Sequence, residues 1–130
     1  VGIRVLVDTH VLLWALFEPK RLSRTARELL EDLHTQIVLS AASAWEVSTK
    51  YRLGKLEHAA YLIENFDQAI NGLQAEELPI SRAHALKAGA WPIEHRDPFD
   101  RMLAAQAALE ELPLVTADPV FGVFSVETIW

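Results

Sequence analysis

The run Ile3-Arg4-Val5-Leu6-Val7, closed by Asp8-Thr9-His10, constrains this chain more than any other stretch. Short, nearly continuous and mostly aliphatic, it suits a parallel strand covered by helices on both faces. It stops at a carboxylate and a hydroxyl, and a new apolar segment, Val11-Leu12-Leu13-Trp14-Ala15-Leu16-Phe17, follows at once. In an open α/β sheet the ligand crevice lies beyond the carboxyl ends of the strands, near the point where strand order reverses. Asp8 stands where such a sheet keeps its chemistry.

The rest of the chain repeats the alternation, without repeats, low-complexity tracts or an evident linker. Thr9 is placed to cap a helix over about Val11 to Phe17, and Glu18-Pro19-Lys20 breaks it. Ser23 caps the next helix, in which Ala26, Leu29, Leu30 and Leu33 form one stripe. Ile37-Val38-Leu39 is a second strand ended by Ser40. A third helix, Ala42 to Leu53 with Gly54 as its stop, packs through Ala44, Val47 and Tyr51 and carries Ser43, Glu46 and Lys50 on another face. One helix over Ala59 to Leu73, a short strand over Glu77 to Ile80, and a helix from Ser81 to about Ala90 come next. Asp97 reads as a cap with Pro98 at the first helical position, and the helix to Leu109 is apolar nearly all round, so it should be deeply buried. Pro113 to Thr116 is another strand, ending like the first in a hydroxyl and a carboxylate, Thr116 and Asp118, and Val126 to Trp130 adds an edge strand.

A chain of 130 residues that is 51% apolar and poor in Gly and Pro is expected to fold as one domain over residues 1–130. The absence of cysteine excludes disulfides and thiolate metal sites, and agrees with a reducing cytoplasm. Asp8, Thr9 and His10 interrupt the N-terminal apolar runs, so neither reaches membrane-spanning length, and no basic leader precedes them. The expectation is a soluble, cytoplasmic protein with no membrane partner. Lys plus Arg number 12 against 18 Asp plus Glu, a net charge of −6, which argues against gripping nucleic acid by bulk charge. An acidic chain that handles phosphate needs a local basic patch or a bound cation.

Several chemistries lack their residues. There is no G-x-G-x-x-G, no P-loop and no G-x-S-x-G. A phosphoaspartate enzyme built on Asp8 would want a second acid two residues on, where His10 stands. His10, His34, His58 and His84 show no metal-ligand spacing, and His95 is expected to fix the loop before the Asp97 helix by hydrogen bonds.

Right-handed crossovers bring strand ends and the starts of following helices to one edge of a parallel sheet, so Asp8, Glu46, Asp100 and Asp118 can meet there. Each has a plainer explanation. Asp8 and Asp118 can simply begin turns, Asp100 can favour the positive end of its helix, Glu46 and Lys50 can be an exposed ion pair, and Asp97 can be only a cap. Gathered carboxylates raise one another's pKa, and a hard divalent cation reverses that penalty. Oxygen donors of this kind suit Mg²⁺ or Mn²⁺ better than zinc.

Taken together, Leu6-Val7-Asp8-Thr9-His10, Ser40-x-x-Ser43-x-x-Glu46 followed by Lys50 and Gly54-Lys55-Leu56, Asp97-Pro98-Phe99-Asp100-Arg101-x-Leu103-Ala104-Ala105-Gln106-Ala107, and Leu114-Val115-Thr116-Ala117-Asp118 resemble the PIN-domain nucleases. Among them the chain is most similar to the VapC-like toxins of bacterial toxin–antitoxin modules. The resemblance runs over essentially the whole chain. It implies an α/β/α sandwich around a central, mostly parallel sheet, Mg²⁺- or Mn²⁺-dependent cleavage of RNA, a cognate antitoxin and a homodimer. It puts the family's four acids on Asp8, Glu46, Asp100 and Asp118, with Asp8, Asp100 and Asp118 as metal ligands. Asp97 is an extra acid near the third position, Thr9, Thr116 and Ser43 are supporting hydroxyls, and Lys50 and Arg101 are candidate phosphate or acid partners. Two other readings stay open: an inactive PIN-like module that only binds a partner, and a metal nuclease directed at DNA.

Overall fold

The computed structural model describes residues 2–130; Val1, the first residue of the expected domain, lies outside the described residues. Five short strands, β1 (Arg4–Val7), β2 (Gln36–Ser40), β3 (Glu76–Leu78), β4 (Leu114–Val115) and β5 (Thr128–Ile129), form one sheet in the order β3-β2-β1-β4-β5. Every strand pairing among the described residues is parallel. β1 is the central strand, flanked by β2 on one side and β4 on the other. Strand order therefore reverses at β1, and the crevice expected at such a reversal opens where Asp8 follows β1 and Thr116 follows β4.

Among the described residues, seven α-helices cover the two faces: α1 (Thr9–Phe17), α2 (Arg24–Glu31), α3 (Ala41–Arg52), α4 (Ala59–Glu64), α5 (Phe66–Gly72), α6 (Arg82–Ala90) and α7 (Pro98–Leu109). Alternation along the strands divides the core. Val5, Val7, Ile37, Leu39 and Val115 pack against Val11, Leu12, Ala26, Val47 and Leu62 on one face. Leu6, Val38 and Leu114 pack against Met102, Leu103, Ala104, Phe121 and Phe124 on the other. The result is the three-layer α/β/α arrangement expected for strands that are apolar on both sides. The helix from Asp97 is as buried as its composition demands, with Phe99 and Met102 to Ala107 all inside. Leu103 lies at the centre of its layer, so Leu103→Ala should cost about 2–5 kcal/mol, read as a lower midpoint in urea unfolding with an unchanged slope.

Four local expectations are corrected. Asp8, not Thr9, caps α1: its side chain accepts the Val11 N–H at 2.7 Å, which frees the Thr9 hydroxyl for a distant partner. Leu33 lies beyond the end of α2 and is 93% exposed, so the stripe stops at Leu30. The expected helix from Ala59 to Leu73 is two helices, interrupted at Asn65, whose backbone leaves the helical region and whose side-chain amide donates to the Tyr61 carbonyl. On α3 the inward residues are Ala42, Ser43, Glu46 and Val47, while Tyr51 is exposed. Apolar periodicity misplaces that face because two of its buried positions are polar.

Candidate active site

The site is assembled from residues that the sheet edge brings together. Asp8 is buried at the end of β1, where the Thr116 hydroxyl, from the end of the neighbouring β4, donates to its Oδ2. Thr116 Oγ1 in turn accepts the Asp118 N–H at 3.0 Å. From the first turn of α1, Thr9 donates to Glu46 Oε1 at 2.5 Å and lies 3.0 Å from Ser43 Oγ. Both partners are buried on α3. The two threonines thus tie α1 to α3 and β1 to β4. Ser40 extends this frame, accepting the Ala42 N–H to cap α3 while its hydroxyl donates to Gln106 Oε1 on α7 at 2.5 Å. That bond fixes the helix carrying Glu46 against the helix carrying Asp100.

Asp100 sits in the first turn of α7, downstream of the Asp97 cap, whose Oδ1 accepts the N–H groups of Phe99 and Asp100. Asp97 therefore has a full structural role. His95 reaches across the loop to bond Asp100 Oδ2 through Nε2 at 2.8 Å. His95 thus ties the loop to the helix by a hydrogen bond, as the sequence leads one to expect, and its partner is Asp100. No helical spacing links these two residues across Pro98, so periodicity gave no sign of the contact.

Electrostatics link three acids. Burial holds the Asp8 carboxyl above its usual range, against the lowering effect of the Thr116 and Val11 hydrogen bonds and of His10, and the nearby charge of Glu46 raises it further. Burial likewise holds Asp100 up, opposed by its bond to His95 and reinforced by the charges of Asp97 and Glu46. Glu46 thus acts on both of the others. Its Oε2 accepts Lys50 Nζ, so the pair is buried on the glutamate side and not the exposed ion pair of the plainer reading. Asp118 stands apart: it is exposed, its Oδ1 caps the short turn Pro119–Phe124 by accepting the Val120 N–H, and its link to Asp8 runs through the Thr116 hydroxyl.

Arg101 does not point its donors at a ligand. Its guanidinium donates to the carbonyls of Ala88 at 2.7 Å, Trp91 at 2.6 Å, Ile93 at 2.6 Å and His95 at 2.9 Å. The sequence leaves open whether Arg101 faces a phosphate or an acid; in the structure its donors go to backbone carbonyls, and it is the clamp that holds the loop carrying His95. Nor is the cluster backed by fully buried tryptophans. Trp45 and Trp130 are exposed, and Trp14 and Trp91 are partly so.

Among the described residues, no three His, Asp or Glu side chains are gathered closely enough to form a ready metal cage. The chemistry of the donor set nevertheless fits a hard divalent cation. It is all oxygen, the hydrogen-bonded carboxylate oxygens of Asp8, Glu46 and Asp100 each keep a lone pair, and Asp8 and Asp100 carry the penalty of burial and of neighbouring negative charge that a cation offsets. The sign of that penalty can be tested. With native pKa values raised above the unfolded value of about 3.9, the native state keeps protons that the unfolded chain has lost. These two groups contribute no penalty below that value, and they destabilise the fold increasingly as pH rises through their native pKa values. Adding Mg²⁺ at neutral pH should therefore raise the melting temperature more than adding it near pH 4, and equal shifts at both pH values would contradict the coupling.

Comparison with known proteins agrees with this architecture. The family model described as PIN domain matches residues 5–125. A 30-residue stretch is 57% identical to Ribonuclease VapC16 of Mycobacterium tuberculosis (strain ATCC 25618 / H37Rv); it covers 23% of this chain and about a fifth, 21%, of that relative's length. Among solved structures, a chain of VapBC2 from Rickettsia felis, determined bound to a DNA fragment from its promoter, superposes with a TM-score of 0.70 at 17% identity over 98% of both chains. The sarcin-ricin loop cleaving toxin VapC20 of Mycobacterium tuberculosis superposes with a TM-score of 0.65 at 16% identity, over 94% of this chain and 95% of that one. At these identities the two structures speak for the fold. With a family model that spans nearly its whole length, and a parallel sheet whose acids gather at the point of strand reversal, this chain belongs to the PIN domain family.

Proposed function

We propose that this chain is a divalent-metal-dependent endoribonuclease and the toxin of a bacterial toxin–antitoxin pair, working in the cytoplasm as a single-domain subunit of a homodimer. What supports the reading is that Glu46, held by Thr9 of the β1–α1 junction, raises the pKa of both Asp8 and Asp100, acids distant from it in sequence. The named relative is a ribonuclease, and one structural neighbour is a toxin–antitoxin complex from Klebsiella pneumoniae, which supports both the activity and an antitoxin partner.

Asp8 and Asp100 would hold the cation, Mg²⁺ or Mn²⁺, with Asp118 joining from the β4 side. Such an ion, when bound, supplies charge neutralisation for a phosphodiester and a lowered pKa for water. The chain's own residues do the rest. Thr116 orients Asp8, His95 orients Asp100, and Thr9 holds one oxygen of Glu46 so that the carboxylate is aimed into the same space and can take a proton from attacking water. Lys50, paired with Glu46 Oε2, holds the other oxygen of that carboxylate.

The assay is cleavage of a pool of cellular RNAs with Mg²⁺ or Mn²⁺, repeated with chelator and with matched DNA. Metal-dependent cleavage of RNA alone is expected. Cleavage that persists in chelator ends the mechanism, and equal cleavage of DNA redirects it to the DNA-nuclease reading. The binding-module reading draws on the Lys50–Glu46 pair and the lack of a ready cage. It predicts neither cleavage nor Mn²⁺ uptake in calorimetry.

A further inference from the structure

We infer that Trp45 is a stacking platform for a base of single-stranded RNA at the rim of the acid group; this rests on the ribonuclease reading above. Trp45 directly precedes Glu46 on α3, and Phe99 directly precedes Asp100 on α7. The two rings meet edge to face, with centroids 4.5 Å apart and planes at 72°. Phe99 is buried, so it pins the indole in place, yet Trp45 remains 49% exposed. A rigid, half-open indole is thereby set beside two coupled carboxylates.

The other tryptophans are covered differently. Arg21 lies over Trp14 and Lys87 over Trp91, while Trp130 packs on Trp14. Among the described residues Trp45 has neither a cation nor a second indole over it. Two of the cations beside the acids are already engaged, Lys50 with Glu46 and Arg101 with backbone carbonyls, and the chain carries a net charge of −6. An acidic protein that binds a polyanion needs affinity from a source that does not depend on bulk charge. Base–aromatic stacking is such a source, tolerant of sequence because every base has a π-face.

The test uses the full chain with Asp8→Asn, which blocks cleavage, in Mg²⁺. Binding of a labelled single-stranded RNA of about 10 nucleotides is followed by anisotropy. Adding Trp45→Ala should weaken binding roughly 5- to 150-fold, the equivalent of about 1–3 kcal/mol per stacked base. Trp45→Phe, which keeps an aromatic face, should retain most of the affinity while losing the quenching of tryptophan fluorescence that RNA produces. Thermal melts of all three forms show whether each is folded. Equal affinity for all three overturns the inference and leaves the nuclease intact. A fall in affinity that accompanies a shift from dimer to monomer in sedimentation also overturns it, because the ring is then covered by a second copy of the chain. Absence of RNA binding by every form, together with absence of RNA cleavage by the chain with Asp8 intact, overturns the functional reading, and the platform falls with it.

Discussion

Asp8→Asn should abolish cleavage and stabilise the metal-free protein at the same time. The activity loss is expected to be at least on the order of 10²-fold, because a divalent ion at such a site would contribute several kcal/mol of transition-state charge stabilisation and Asp8 is the most buried of the acids proposed to hold it. The stability gain has a separate origin. Burial and the charge of Glu46 oppose ionisation of Asp8, and an amide removes that penalty while its oxygen still accepts the Val11 N–H. Relief of this kind typically contributes about 0.5–2 kcal/mol, a rise of a few degrees in melting temperature for a chain of this size. The rise should vanish when wild type and variant are compared well below the ordinary Asp value of about 3.9, where Asp8 is protonated in both the native and the unfolded wild-type chain. A variant that is both inactive and less stable at neutral pH would mean that Asp8 serves the α1 cap alone.

Arg101→Ala should be the most damaging single substitution outside the apolar core. Four carbonyls, from Ala88 through the loop to His95, lose their charged donor together. Hydrogen bonds to charged groups contribute about 1.5–3 kcal/mol each, and they are not additive when they share one side chain, so a total loss of about 3–5 kcal/mol is expected. In a chain of this length that lowers the melting temperature by roughly 10 °C or more. Arg101→Lys should recover only part of it, because an ammonium cannot reproduce the planar fork that reaches residues on several sides. Below the melting transition, cleavage should still fall: once the loop is released, His95 no longer holds Asp100 in place. An Arg101→Ala protein with wild-type melting and wild-type cleavage would remove the clamp from this account.

Both results depend on how different parts of the chain meet, and the sequence carried those parts unequally. The strands after which Asp8 and Thr116 stand, the Ser23 and Asp97 caps, and the burial of α7 were all legible. They are set by local composition: aliphatic runs, short polar residues able to cap, and a proline at the first helical turn. The break at Asn65 was not legible, because the apolar positions on either side keep a helical period that a single backbone departure does not disturb.

The sequence by itself determined the alternation of strand and helix and the identity of the acids, because hydrophobic period and residue type are local properties of the chain. Only the tertiary structure decided which of those acids act on one another and what holds them. It drew Asp8, Glu46 and Asp100 into one group and left Asp118 at its edge. It also turned Arg101 from a candidate phosphate or acid partner into a clamp, joined His95 to Asp100, and set Trp45 open on a buried Phe99. The physical reason is that coulombic and hydrogen-bond partners are chosen by distance in space, and strand order, which sets those distances, is fixed by pairing between segments far apart along the chain.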